Sequence, residues 1–227
     1  MHPTFPPGRL KIESCEFPDD LLYDVERGTW GRQQGMTLRV GVTSLLSWSF
    51  GTFSAISLKE MGTRLSVGGV LGSLEGSRHF DVVRSPVSGT IALVNPKVTR
   101  EPELLNRDPY GDGWLADLRL DDDREPQRLG RLPEVRSAIA QSLKDRHVRC
   151  FAAFPDFELF DVGVECAAVL VKLNELLANS KQGTVVHVIS DDSTAEIEMQ
   201  RWSDQTGNAL LDSRKETTFY HFIVKKR

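Results

Sequence analysis

Cysteine is scarce in this chain, with three in 227 residues: Cys15, Cys150 and Cys166. They lie too far apart for a zinc cluster and are odd in number for a disulfide framework, so each is weighed as a single thiol. Cys15 reads as structural. Cys150 sits in the apolar run His147-Val148-Arg149-Cys150-Phe151-Ala152-Ala153-Phe154 and reads as a buried, inert thiol. No run approaches the ~20 apolar residues of a membrane span, and Met1 to Arg9 has no charged segment leading into an apolar one. A cytoplasmic location with no membrane partner is expected. An excess of basic charge is also missing. Lys and Arg total 28 against 32 Asp and Glu, giving a net charge of -4 and a pI near 5.8. That balance argues against a nucleic-acid partner. No Gly-rich phosphate loop, Ser-His-Asp arrangement or ligand-spaced His/Cys set occurs, so neither cofactor nor metal is expected. The Asp121-Asp122-Asp123 run reads as a solvated linker rather than a cation site.

What the chain does have is length for two cores, since domains usually run ~100 to 150 residues. From Leu38 to Leu120, short β-favouring runs are cut by glycine: Leu38 to Val42, Phe53 to Leu58, Leu65 to Val67, Val70 to Leu74, Phe80 to Arg84, Thr90 to Val94 and Trp114 to Leu120. This density of turns predicts a small all-β sandwich with one helix near Ser44 to Ser49. Ser85-Pro86 and Ser88-Gly89 are turn chemistry, with Gly89 available for positive φ. Leu104 to Arg107 predicts a helical turn that stops before Pro109. Pro133 opens a helix to Asp145, proline suiting the first helical position.

Glu75, Arg78 and the turn Ser85-Pro86-Val87-Ser88-Gly89, followed by Asn106-Arg107-Asp108-Pro109-Tyr110-Gly111-Asp112-Gly113-Trp114, resemble the glycine cleavage system H protein family. The resemblance reaches back through Val40-Gly41-Val42-Thr43 to about Leu22. It implies a lipoyl/biotinyl-carrier-like β-sandwich, a barrel-sandwich hybrid, over residues 22–123. Arg78 occupies the position of the family's lipoyl lysine and Glu75 the recognition position before it. Lipoylation needs a neutral amine as nucleophile, and a guanidinium stays protonated with its lone pairs delocalised. From Glu60 to Pro96 there is no lysine; Lys59 and Lys97 lie outside the hairpin. The domain is therefore expected to carry no lipoate. It is either a decayed carrier kept for packing or a docking surface presenting Arg78, His79 and Arg84.

The strand Leu159-Phe160-Asp161-Val162 leads into Gly163-Val164-Glu165-Cys166 and a helix from Ala167 to Asn179. Then come a strand Thr184 to Ile189, the acidic turn Ser190-Asp191-Asp192-Ser193, a helix Ala195 to Gln205 with Trp202, a corner at Thr206 to Leu211 and a closing strand Phe219 to Lys225. This order resembles the TusA/SirA-like sulfur carriers, implying an α+β two-layer sandwich over residues 158–227. Residues 1–21 are left as an N-terminal extension and 124–157 as a linker carrying the helix. The resemblance makes Cys166 the position that holds sulfane sulfur as a persulfide, with Gly163 in the turn that presents it. Independently of any family, a cysteine at a helix entrance meets unpaired amides and the positive dipole end, which should lower its pKa. Two departures bear on this. The family's Cys-Pro-x-Pro is here Cys166-Ala167-Ala168-Val169, and Glu165 adds a negative neighbour. His187 and His221 read as satisfied core or rim histidines, and Lys225-Lys226-Arg227 as a short basic tail.

Three functions are consistent with these readings. The chain is a sulfur-relay carrier or sulfurtransferase accessory protein with a docking domain that lacks lipoate; its partners would be sulfur-donating and sulfur-accepting proteins such as a cysteine desulfurase or a lipoate-related enzyme. Otherwise it is a non-catalytic adaptor of carrier-recognising enzymes, or an H-type lipoyl carrier, which Arg78 opposes.

Overall fold

A computed structural model describes residues 8–227, and these divide into two compact units at Cys150 and Phe151. In the first unit a hairpin of β1 (Arg9–Ile12) and β2 (Cys15–Pro18) precedes β3 (Leu22–Asp24), β4 (Thr29–Gln34), β5 (Thr37–Val42) and helix α1 (Ser44–Phe50). Next come β6 (Phe53–Leu58), β7 (Arg64–Leu65), β8 (Val70–Gly76), β9 (Phe80–Arg84) and β10 (Gly89–Val94). The short helices α2 (Pro96–Arg100) and α3 (Leu104–Arg107), β11 (Trp114–Leu120), β12 (Gly130–Arg131) and α4 (Leu132–Asp145) complete it.

Two sheets form the sandwich, one of seven strands in the order β12-β3-β4-β5-β11-β10-β7 and one of three, β6-β8-β9. Leu38, Val40 and Leu118 from the first sheet and Phe53, Ile56, Leu71, Leu74 and Val83 from the second share one core. Every second side chain of a strand points to the same face, so the alternation of apolar and polar residues along these strands becomes inside and outside. The glycine of the Ser-Pro-Val-Ser-Gly turn works differently from expectation. Gly89 is not among the positive-φ residues; a Cβ there would stand 2.4 Å from the Arg119 carbonyl oxygen, so the glycine is demanded by close strand approach.

A second core in the same unit gathers Ile12, Cys15, Phe17, Tyr23, Trp30, Leu132, Ile139 and Leu143. The segment before Leu22, expected as an extension, thus supplies a hairpin to it, and the helix expected in a linker supplies the α4 face. The reading of Cys15 and Cys150 as separate thiols is overturned: they form a disulfide, with Cα atoms 4.9 Å apart across a sequence separation of 135. An odd cysteine count excludes a fully paired framework but not one bond, and packing of α4 against β1 and β3 carries the chain back to Cys15. The acidic run is also ordered locally. Asp121 pairs with Arg64 at 2.9 Å, and the Glu125 carboxylate accepts from the Ser88 amide.

The second unit is built from β13 (Phe157–Asp161), α5 (Cys166–Ala178), β14 (Val185–Ser190), α6 (Ala195–Thr206), β15 (Ala209–Glu216) and β16 (Phe219–Lys225). Its sheet runs β13-β14-β16-β15, with β13 and β14 parallel and the other pairs antiparallel. Parallel neighbours need a crossover, and α5 is that crossover. Val169, Leu173 and Leu177 of α5 and Met199 and Trp202 of α6 pack on Val186, Val188, Phe222 and Val224 of the sheet. The corner expected at Thr206 to Leu211 opens into a full edge strand, β15, entered through Gly207 at φ +74.

Candidate functional site

The β8–β9 hairpin turns through Ser77, Arg78 and His79, closed by the Gly76 amide donating to the His79 carbonyl at 2.8 Å. Glu75, Ser77, Arg78, His79 and Phe80 are all exposed, Phe80 by 70%. The backbone of this tip is nevertheless pinned. The Ser77 amide donates to the Thr52 carbonyl at 2.9 Å and the Arg78 amide to the Phe50 carbonyl at 3.0 Å. Ser77 Oγ accepts from the Thr52 amide at 3.1 Å. This approach is possible because residue 51 is glycine, at φ +74, where a Cβ would meet Ser77 Oγ at 2.2 Å.

Why the distant Asn106-to-Trp114 motif accompanies the tip is then clear. Asn106, 6% exposed, accepts from the Phe53 amide at 2.9 Å and donates to the Gly51 carbonyl at 2.9 Å, gripping the segment on which the tip rests. Pro109 receives the Trp30 indole N–H at 3.0 Å, and the Tyr110 hydroxyl accepts from the Ser44 amide at 2.9 Å. The motif is a clamp. Trp114 carries the Arg39 guanidinium over its ring at 4.2 Å, a packing role like that of buried Trp30.

In the second unit Gly163, at φ +72, turns the chain from β13 towards α5; nothing stands within 4 Å of a Cβ placed there, so the backbone angle alone demands glycine. Cys166 is the first residue of α5, the helix entrance. The expectation of a lowered thiol pKa fails there. Cys166 is 2% exposed, and its amide donates to the Asp192 carboxylate at 2.7 Å. Burial first, then the charges of Asp192 and Glu198, push the thiol up to about 11. At that value only roughly one thiol in ten thousand is ionised at pH 7. Desolvation and two carboxylates outweigh half a dipole charge.

The carboxylates come from the acidic turn after β14. Asp191 accepts from the Gly163 amide at 2.8 Å, while Asp192 also accepts from the Thr194 amide at 2.8 Å and hydroxyl at 2.9 Å. Those amide bonds, Thr194 first and Cys166 next, hold the Asp192 carboxyl below the usual carboxylate range. The turn and the cysteine are each legible in the sequence, but their contact is not, because it is the β13–β14 register, Asp161 opposite Ser190, that brings them together. His187 and His221 are hydrogen-bonded to each other, Nε2 to Nδ1 at 3.0 Å, with the Phe151 ring 4.6 Å from that of His187. The basic tail is not wholly free: Lys226 Nζ donates to the Ser180 carbonyl at 2.9 Å and to that of Leu177, at the C-terminal end of α5. Among the described residues no group of three or more His, Cys, Asp or Glu side chains is placed to hold a metal ion.

Residues 21–142 match the glycine cleavage H-protein family. The chain belongs to it. Residues 162–226 match the sulfurtransferase TusA family, so an H-protein domain and a TusA-like domain stand in one chain. A relative from Haloarcula marismortui, named "Probable glycine cleavage system H protein", is 40% identical over 116 residues, 51% of this chain and 91% of that protein. Another from Sulfurisphaera tokodaii, "Probable glycine cleavage system H protein 2", is 30% identical over 142 residues, 61% of this chain and 96% of its own. A crystal structure of a glycine cleavage system H protein from Mycobacterium marinum shares 28% identity at a TM-score of 0.45, over 46% of this chain and 87% of that one. No helix of the described residues is long and apolar enough to cross a membrane.

Proposed function

We propose that the protein is a cytoplasmic sulfur-relay carrier that holds sulfane sulfur as a persulfide on Cys166, using the H-protein domain, without lipoate, to dock its partners. The observation that carries this reading is that the disulfide leaves Cys166 as the single free cysteine, at a glycine turn into a helix of a TusA-like domain. In the transfer, the Cys166 thiolate attacks the outer sulfur of a donor persulfide. A new S–S bond forms on Cys166, the donor's S–S bond breaks, and the donor leaves as a thiolate that takes up the proton lost by Cys166. No external oxidant or reductant enters. Delivery to an acceptor thiolate is the same exchange reversed in role, and sulfur donors such as a cysteine desulfurase fit as partners. A buried disulfide is compatible with a reducing compartment, because exchange requires a thiolate to reach a sulfur and Cys15 and Cys150 are 0% and 4% exposed.

The protonated, buried state of Cys166 favours a second reading, an adaptor in which both domains only dock. One experiment separates the two: incubation with a cysteine desulfurase and cysteine, followed by mapping of the adduct by mass spectrometry in wild type and Cys166→Ser. A persulfide on Cys166 that is lost in the variant supports the carrier. No persulfide on Cys166 leaves the adaptor.

A further inference from the structure

The group that restrains Cys166 is identifiable. We propose that Asp192 is a positioning residue that keeps the Cys166 thiol closed at rest, its carboxylate bonding the first amide of α5 and tying the helix entrance to the β14–α6 turn. The inference rests on the reading of Cys166 as the cargo site and names how that site is regulated.

Three features single out Asp192 from its acidic neighbours. Its carboxylate bonds the amide of Cys166 itself, whereas Asp191 bonds the amide of Gly163 and Glu165 makes no capping bond with its side chain. It is held in that position by the amide and hydroxyl of Thr194 and by its own amide donating to Ser190 Oγ at 3.2 Å, so the acceptor is fixed rather than a mobile surface charge. Glu198, the other carboxylate acting on the thiol, is engaged with Arg201 at 3.1 Å one turn along the helix. Asp192 therefore does two separable things. Its charge opposes ionisation of the sulfur, and its bond to the Cys166 amide ties the start of α5 to the β14–α6 turn. A donor must neutralise or displace this carboxylate before the sulfur can attack.

The two effects leave different marks on the reaction of Cys166 with iodoacetamide, which reads this thiol alone because the other two cysteines are bonded to each other. In a pH–rate profile, charge moves the midpoint, and steric closure sets the plateau. Asp192→Asn keeps an acceptor and removes the charge. Its midpoint is expected to fall by about one pKa unit, roughly tenfold in rate at pH 8, with the plateau little changed. Asp192→Ala removes both, so its midpoint falls and its plateau rises. Asp191→Asn, which removes a neighbouring charge without touching the Cys166 bond, should leave the midpoint near that of wild type. A midpoint common to wild type, Asp192→Asn and Asp192→Ala would overturn the proposal. So would a shift in Asp191→Asn as large as that in Asp192→Asn. Because alkylation needs no persulfide donor, a failed sulfur-loading experiment with a shifted midpoint refutes the carrier and leaves the restraint standing, and the converse result does the opposite.

Discussion

The guanidinium of Arg78 decides what the β8–β9 tip can accept. Everything that presents residue 78 is in place: the hairpin closure at Gly76, the two backbone bonds to Phe50 and Thr52, and the glycine at 51 that lets the strands approach. The geometry is that of a presented side chain, while the chemistry of acyl transfer is missing because arginine has no free lone pair to offer. The expected outcome is that the wild-type protein, co-expressed with a lipoate ligase and lipoate, keeps its unmodified mass. Arg78→Lys gains one lipoyl group on the new amine. Intact mass spectrometry reads both. A lipoyl adduct on the wild type would contradict the role assigned to Arg78, and an unmodified variant would show that the tip has lost more than its nucleophile.

Among the elements, what could be read from sequence follows the strength of the local pattern. Phe53–Leu58, Phe80–Arg84, Trp114–Leu120 and Phe219–Lys225 match their expected bounds because apolar residues or glycine breaks punctuate them. The corner expected at Thr206 to Leu211 overlaps only the start of β15; Asp212, Arg214, Lys215 and Glu216 make half of that strand charged, which hides it from a local pattern and which an edge strand pairing with β16 alone tolerates. The Cys15–Cys150 bond depends on a contact between residues 135 apart in sequence, which no local pattern contains. The same holds for Cys166: its helix-entrance position was legible, and the carboxylate that reverses its electrostatics was not. The Asn106 motif was legible only as a signature. Its physical content gives a prediction, because Asn106→Ala strands the buried Phe53 amide and Gly51 carbonyl without their partner. Leaving such groups unsatisfied costs about 1–3 kcal/mol each. The variant should unfold at lower urea and show faster amide exchange at Phe53 and at the tip amides of Ser77 and Arg78. Unchanged tip exchange would mean the clamp does not support the hairpin.

At the scale of the whole molecule, the stabilising features fall on separate units. The disulfide closes its loop within the first unit and, at a separation of 135 residues, removes chain entropy from the unfolded state. The loop-closure argument puts its contribution at up to about 5 kcal/mol. The second unit has no such bond and relies on its own core, centred on Leu173 at 0% exposure. Leu173→Ala should cost that core about 2–5 kcal/mol. If each core folds on its own, calorimetry of the full chain shows two transitions that respond to different changes. Cys15→Ala with Cys150→Ala lowers the first and leaves the second in place, whereas Leu173→Ala does the reverse. Trp202, the single tryptophan of the second unit, assigns them: its indole N–H resonance, bonded to Asn174 at 2.8 Å, disappears with the transition that Leu173→Ala moves. Equal displacement of both transitions by either change would mean that the two units unfold as one.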